Sequence, residues 1–586
     1  MRSSTLGAAA LLVALGLAVA TAQRPEVGGR VFLDAGGFGA PVPVDVGLLT
    51  DARVRVGVGE RPVVRLNVAP GVEFVAEIDA TGPTSAGYSL TGRLVEGGPG
   101  SFTLVVNGDV IAGEVSTPGG HYAIRPSGSS AAVVREVDPA TLRPGPDDAV
   151  RPPARPGRLE PATEPIRAPG AVPAPAASDR NPPEDGTRID VLALFTQDAR
   201  AEFGGGTVAG MRAVIDLVVV QVNEAYAASG VVQRLNLAAP PVQIPLREAG
   251  RTAEDLVERL RDWPRAIELR DRHAADLVTL MLGGKTVDIE QVAGWAYINE
   301  PDNGAGWQRW AFSVGVPNGY LLAHETGHNM GLEHERFQLV REGKKLRDLR
   351  YPGGVGFAGP IDNDPGTPCL ITIMAYGTEC FETEGQSPLW DYVLRFSNPN
   401  AKVDGVALGV RGDRPSGRTD GPAFAARHLN RMRRYVANWR RAPCLEGGMR
   451  VRLQASSGEY VVAVGNGGGA VRADQPRPGP RGRFTLVDHN GGPCVESGDV
   501  VSLHTSDGFY LRAARGGEVD ATAPRATPWA RFTARRHRGG GAFRAGDVLT
   551  LQARSGHYVV AEKGGGGGVR ADRESAGAWA RFRVSR

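Results

Sequence analysis

The chain has 586 residues, 41% hydrophobic and 22% charged, an ordinary globular composition at a length that calls for several cores rather than one. A net charge of +3 is too small to imply nucleic acid or an acidic membrane surface as a partner. The 80 glycines and 43 prolines favour turns, linkers and β-rich units over long helices.

Residues 1–22 carry Arg2, an apolar run from Leu6 to Ala20 and the small-residue end Ala20-Thr21-Ala22, the features of a secretory signal cleaved near Gln23. That run falls short of the roughly 20 apolar residues of a spanning helix, and no other stretch reaches that length. The expectation is a secreted, extracellular protein without a membrane span. Four cysteines suit an oxidising compartment. They allow three pairings; proximity favours Cys369 with Cys380 and Cys444 with Cys494, and the rival reading as zinc ligands lacks any C-x-x-C pair.

Residues 23–138 contain alternating runs such as Arg53–Val58, Val63–Val68 and Ser101–Val106 between Gly and Pro turns, which predict a small antiparallel β domain. Residues 139–186 (Arg143-Pro144-Gly145-Pro146, Pro152-Pro153, Pro173-Ala174-Pro175) lack apolar periodicity and read as a semi-extended Pro-rich linker, open to nicking. A third unit spans 187–441. Its expected elements are a strand at Ile189–Phe195 and a helix with Met211, Val214, Ile215, Val218, Val222 and Ala225 on helical spacing up to Gly230. Next come a strand at Gln233–Leu237 and a helix from Thr252 to Trp263 closed by Pro264. Strands follow at Ala275–Leu282, Val292–Ile298 and Trp310–Val316, and a terminal helix covers 434–439. This order predicts a mixed twisted sheet with helices against it.

Within that unit the chain reads His324-Glu325-Thr326-Gly327-His328-Asn329-Met330-Gly331-Leu332-Glu333-His334, the pattern H-E-x-x-H-x-x-G-x-x-H. On a helix capped by Asn318, His324 and His328 share one face. His334, ten residues on, would lie roughly 15 Å along a continued helix, whereas zinc to nitrogen contact needs about 2.0 to 2.1 Å. Gly331 can adopt a left-handed conformation, turn the chain and return His334 to the other two. Three imidazoles leave a fourth position of one catalytic Zn2+ open for water, whose pKa zinc lowers to about 7, and Glu325 is placed to act as general base and acid. The other histidines (121, 273, 428, 489, 504, 537 and 557) are scattered and read as surface or core residues.

The long motif resembles that of the metzincin zinc endopeptidases, with a lean to secreted bacterial reprolysin-like enzymes, although Glu335 stands where those commonly have Asp. The resemblance implies a methionine turn at Ile373-Met374-Ala375-Tyr376, with Met374 as an apolar floor under the imidazoles and Tyr376 able to help stabilise the tetrahedral intermediate. It implies an α/β (α+β) catalytic domain, protein or peptide substrates, and a cleft edge around Gly294-Trp295-Ala296 on which an extended substrate pairs as an added strand. The β domain at 23–138 is then a propeptide or a permanent accessory domain. It contains no cysteine, so inhibition in a zymogen would be steric or through a carboxylate. Asp362-Asn363-Asp364-Pro365-Gly366 has the composition of a Ca2+ loop, though such clusters are more often plain turns.

Beyond 444 the chain repeats. Leu453/Tyr460, Leu503/Tyr510 and Leu551/Tyr558 recur with Gly two positions before each Tyr and with Phe484, Phe532 and Phe582 trailing. Three copies of about fifty residues resemble a fascin-like or ricin-B-like β-trefoil, whose Leu, Tyr and Phe would meet in one core and which would bind a polysaccharide or cell surface; Q-x-W lectin repeats are absent. The reading is a multidomain monomer: a secreted zinc endopeptidase. An adhesion protein with a dispensable protease domain, or a zinc amidase acting on cell-wall peptides, are the alternatives.

Overall fold

A computed structural model describes residues 26–32, 39–57, 59–96, 98, 100–117, 120–137, 149–150, 181–284, 293–303, 305–359, 369–377, 380, 390–412, 414 and 416–586. The expected signal segment and the Asp362–Gly366 turn lie outside the described residues. Three sheets dominate, each with its own apolar core.

The first is a nine-stranded sheet, an antiparallel meander from Val63 to Val137 flanked by two short strands. Among its described residues a helix, Val46–Gly57, takes in residues 53–57 of the strand expected at Arg53–Val58 and corrects it. Asp45 caps the helix by accepting from Leu48 N at 2.8 Å. Leu49, Ala52 and Arg53 are buried at helical spacing, so the apparent alternation of Val54 and Val56 does not decide the conformation.

The second is a seven-stranded mixed sheet. From one edge its order is Ala149–Val150, Gly294–Tyr297, Phe312–Gly315, Leu277–Met281, Arg188–Phe195 and Arg234–Leu237. Only the pair Gly294–Tyr297 with Phe312–Gly315 is antiparallel among these. The two-residue strand Ala149–Val150, which falls in the expected linker, pairs parallel to Gly294–Tyr297, the edge strand of the catalytic unit's own sheet, with Ala149 opposite Ala296 and Val150 opposite Tyr297. The helix Ala253–Asp262, capped by Thr252, ends at Trp263 just before Pro264, as expected, but Pro264 does more than close it. It opens a second helix, Pro264–Arg272, at the first position, where its missing N–H costs nothing. The terminal helix covers Ala425–Val436, beginning earlier than expected because its basic residues hid the buried face Ala426, Leu429 and Met432.

The long helix Val208–Ala228 is buried on most sides, since the first sheet packs along it. Val105 and Ala112 meet Ala213, Val214 and Leu217. Polar latches flank this seam: Asp216 accepts from Ser85 N (3.1 Å), Ser85 Oγ (2.6 Å) and Asn107 Nδ2 (2.7 Å), and Gln221 Nε2 donates to Glu114 at 2.6 Å. Burial raises the Asp216 carboxyl above its ordinary value against the pull of these bonds. Among the described residues no single helix is long and apolar enough to cross a membrane.

The third sheet, twelve strands between Arg450 and Ser585, repeats one register three times: Gln454 opposite Tyr460, His504 opposite Tyr510 and Gln552 opposite Tyr558. Leu453, Leu503 and Leu551 share a core with Phe484, Phe532 and Phe582. The three tyrosines do not join it. They stay half-buried, and the next residues, Val461, Leu511 and Val559, point inward instead, as strand alternation requires once the Leu positions are fixed. The disulfides are Cys369–Cys380 and Cys444–Cys494, the pairing favoured by proximity. This sheet is tied to the second by Arg188, which bonds Asp190 Oδ1 and Asp547 Oδ1 at 2.9 Å each.

Candidate metal centre

The helix Gly319–Asn329 carries the motif, and Asn318 caps it as expected by accepting from Leu321 N at 3.0 Å. Its far end is fixed by Asn299, whose N–H donates to His328 O at 3.0 Å and whose amide donates to Asn329 O at 3.1 Å. Asn329 in turn donates to Tyr297 O (3.0 Å) and Phe312 O (3.1 Å), locking the helix onto the edge strand and its neighbour.

Gly331 has φ +90°, the left-handed turn that the spacing of His334 demands. A side chain there would also be crowded, since a Cβ would lie 3.0 Å from Asn299 O and 3.1 Å from His428 Nε2. After the turn Glu333 N donates to Gly354 O at 2.9 Å, which aims His334 back toward the helix.

The three imidazoles converge. His328 Nε2 lies 3.0 Å from His324 Nε2 and 3.1 Å from His334 Nε2, and all three residues are buried. Each Nδ1 faces an acceptor: Ile373 O at 2.6 Å for His324, Leu332 O at 2.9 Å for His328 and Glu342 Oε1 at 2.9 Å for His334. Nδ1 therefore carries the hydrogen in each ring, and Nε2 presents its lone pair inward. Burial opposes the Glu342 charge, but the His334 hydrogen bond and the Lys344 ammonium outweigh it and bring that carboxyl down to about 2. Three inward lone pairs at this separation repel one another unless a cation lies among them, so the donor set fits a metal ion, and its all-imidazole chemistry suits zinc.

Glu325 is buried beside the histidines and faces the edge strand. A Cβ on Gly294 would come within 2.5 Å of its Oε1. Met374 is fully buried under the motif helix, where a Cβ on Gly327 would lie 2.7 Å from its Sδ. Tyr376 reaches His334 Nε2 through its hydroxyl at 2.9 Å. Its backbone N–H donates to Glu335 Oε2 at 2.9 Å, so Glu335 joins the histidine turn to the Met374 segment. Tyr320 adds a second tie, donating to Thr372 O at 2.7 Å. Cys369–Cys380 brackets Met374 and Tyr376. Every residue expected at the site is thus brought together, and Cys444–Cys494 lies with the third sheet, in the C-terminal region where it was expected.

Sequence reasoning missed Glu342, Asn299 and His428, and it placed Gly294 at the cleft edge without its contact with Glu325. His428 is buried, packs tilted against Tyr351 with ring centroids 4.3 Å apart and meets Met330 O at 3.0 Å. Burial brings its pKa down to about 4, so it supports the Gly331 turn as a neutral donor. No local signal marked these residues, because their partners come from other elements. Two expected outcomes follow from the geometry. Glu342→Gln weakens zinc affinity about 10- to 100-fold in a competition titration with a chelating dye, the usual effect of losing an outer partner of a ligand histidine. Gly294→Ala displaces the Glu325 carboxyl and lowers kcat about 100-fold, with zinc content unchanged.

Residues 212–335 match the family model described as Metallo-peptidase family M12B Reprolysin-like. A peptidyl-Asp metalloendopeptidase of Pseudomonas aeruginosa is 28% identical over 264 residues, 43% of this chain and 40% of that protein, so the match spans less than half of the relative's length. A chaperone-substrate complex shares 17% identity over 44% of this chain and 36% of its own, at a TM-score of 0.29. The SDF2-like protein from Arabidopsis thaliana shares 13% over 24% of this chain and 95% of its own, at 0.21. Likenesses so low carry no argument about fold or function. The family match and the three converging histidines together mark a metzincin-type zinc-metalloprotease domain in this chain.

Proposed function

We propose that the protein is a secreted zinc-dependent endopeptidase that hydrolyses internal peptide bonds of proteins, with His324, His328 and His334 holding one zinc. The observation that carries this reading is the convergence of three Nε2 atoms whose Nδ1 partners fix them as acceptors. A zinc ion bound there supplies Lewis acidity, polarising a peptide carbonyl and acidifying a water. Glu325 takes the proton of the attacking water as it bonds to the carbonyl carbon, then delivers it to the amine nitrogen as the C–N bond breaks. Tyr376 leaves His334 and donates its hydroxyl hydrogen to the developing oxyanion. Met374 holds the floor of the site in a methionine turn, and the Gly294–Tyr297 strand pairs with an extended substrate while its neighbours read alternate side chains.

The chain divides, in this reading, into a signal peptide (1–22), a β-rich propeptide or accessory domain (23–138), a linker (139–186), the catalytic domain (187–441) and a β-trefoil (444–586) that directs the enzyme to a surface or polymer. The pairing of Ala149–Val150 with the edge strand supports a zymogen: the linker holds backbone bonds that a substrate would need. Replacing both residues by proline (A149P/V150P) removes their N–H groups, and the uncut chain should then gain activity several-fold on a quenched peptide. An uncut variant no more active than the parent contradicts this arrangement. The function itself is tested by mass spectrometry of casein digested by the zinc-loaded protein: internal cleavages that vanish on chelation are expected, and intact casein in both samples rules the reading out.

A further inference from the structure

The third sheet repeats one local arrangement, and one copy of it is already a docking site. In the last copy, Trp579 lies in a short 3-10 turn beside Gly564 and Ser456. The end of the Val46–Gly57 helix sits against its indole so closely that Gly57 has no room for a Cβ. Arg53 of that helix donates to Ser457 O at 2.6 Å and pairs with Glu459 at 3.6 Å. The indole is 9% exposed as a result.

The same position in the middle copy holds Trp529, in the turn Pro528–Ala530 that precedes Phe532 just as Ala578–Ala580 precedes Phe582. It is half-buried rather than covered. Alignment on Ala513/Ala561 and on Tyr460/Tyr558 puts Arg515 where Lys563 stands, Arg554 where Ser456 stands and His557 where Glu459 stands. Arg515 and Arg554 are exposed, and each guanidinium lies 6.0 Å from the centroid of the Trp529 ring. The occupied position therefore offers an acid to a basic helix, whereas the open one offers two arginines and no acid at the matching place. The first copy has Arg481 in place of the indole.

We propose that the Trp529 position docks an acidic peptide segment of a protein partner. The indole receives the backbone, as Trp579 receives Gly57, and Arg515 and Arg554 pair with its carboxylates. A peptide is favoured because the equivalent position takes a stretch of polypeptide. The inference does not depend on zinc or on catalysis.

The test uses the full-length chain carrying Glu325→Gln, so that the probe is not digested, and fluorescent poly-L-glutamate read by anisotropy at physiological salt. R515E/R554E and Trp529→Ala are expected to raise Kd at least tenfold, with unfolding temperatures unchanged. Arg535→Glu, which reverses an exposed charge elsewhere in the same sheet, should change Kd less than twofold. Should Trp529→Ala fail to fold, the double arginine variant at exposed positions still decides. Equal weakening by Arg535→Glu, or binding of heparin with none of poly-L-glutamate, overturns the proposal.

Discussion

Glu325→Ala is expected to lower casein hydrolysis by about 10²- to 10⁴-fold, the range removed when a positioned general acid–base is lost. Zinc content should stay the same. The three nitrogens that converge belong to the histidines, and each ring is oriented by its own partner on Nδ1. Glu325→Gln keeps the shape of the side chain and its place against Gly294 but cannot take a proton. It should therefore be nearly as inactive as the alanine variant. A glutamine variant of parental activity would show that the proton moves elsewhere.

His328→Gln is expected to cost zinc affinity by more than about 100-fold, beyond the effect of losing an outer partner such as Glu342, and to abolish hydrolysis. His328 is the central member of the cluster, 3.0 Å and 3.1 Å from the other two nitrogens. Its loss leaves His324 on the helix and His334 beyond the Gly331 turn without the nitrogen that lies between them. Glutamine retains bulk in a fully buried position, which keeps the fold comparable by circular dichroism. Retained affinity would mean that the ion is held by other groups.

These residues were legible because their chemistry lies in one short stretch. A cap at Asn318, two histidines four apart and a glycine before the third give both the helix and its reversal from spacing alone. What surrounds them was not legible. Asn299 lies 30 residues from Asn329, whose carbonyl accepts from it, and His428 lies 98 residues from Met330, so no periodicity could announce either. Gly294 was legible as part of the cleft edge, but its closeness to the Glu325 carboxylate, 31 residues on, was not. Arg53–Val58 misled for a different reason: alternating Val and Arg suit a strand, but the buried Arg53 finds its partners at Ser457 and Glu459, over 400 residues away. The tyrosines of the repeat were placed in the core because they recur, whereas recurrence also preserves a half-buried surface position.

Zinc stoichiometry of the full-length chain, purified without chelator and measured by elemental analysis, bears most directly on the account. About one zinc per chain is predicted for the parent and none for H324A/H328A/H334A. A folded parent that carries no zinc and takes none up from solution would contradict it.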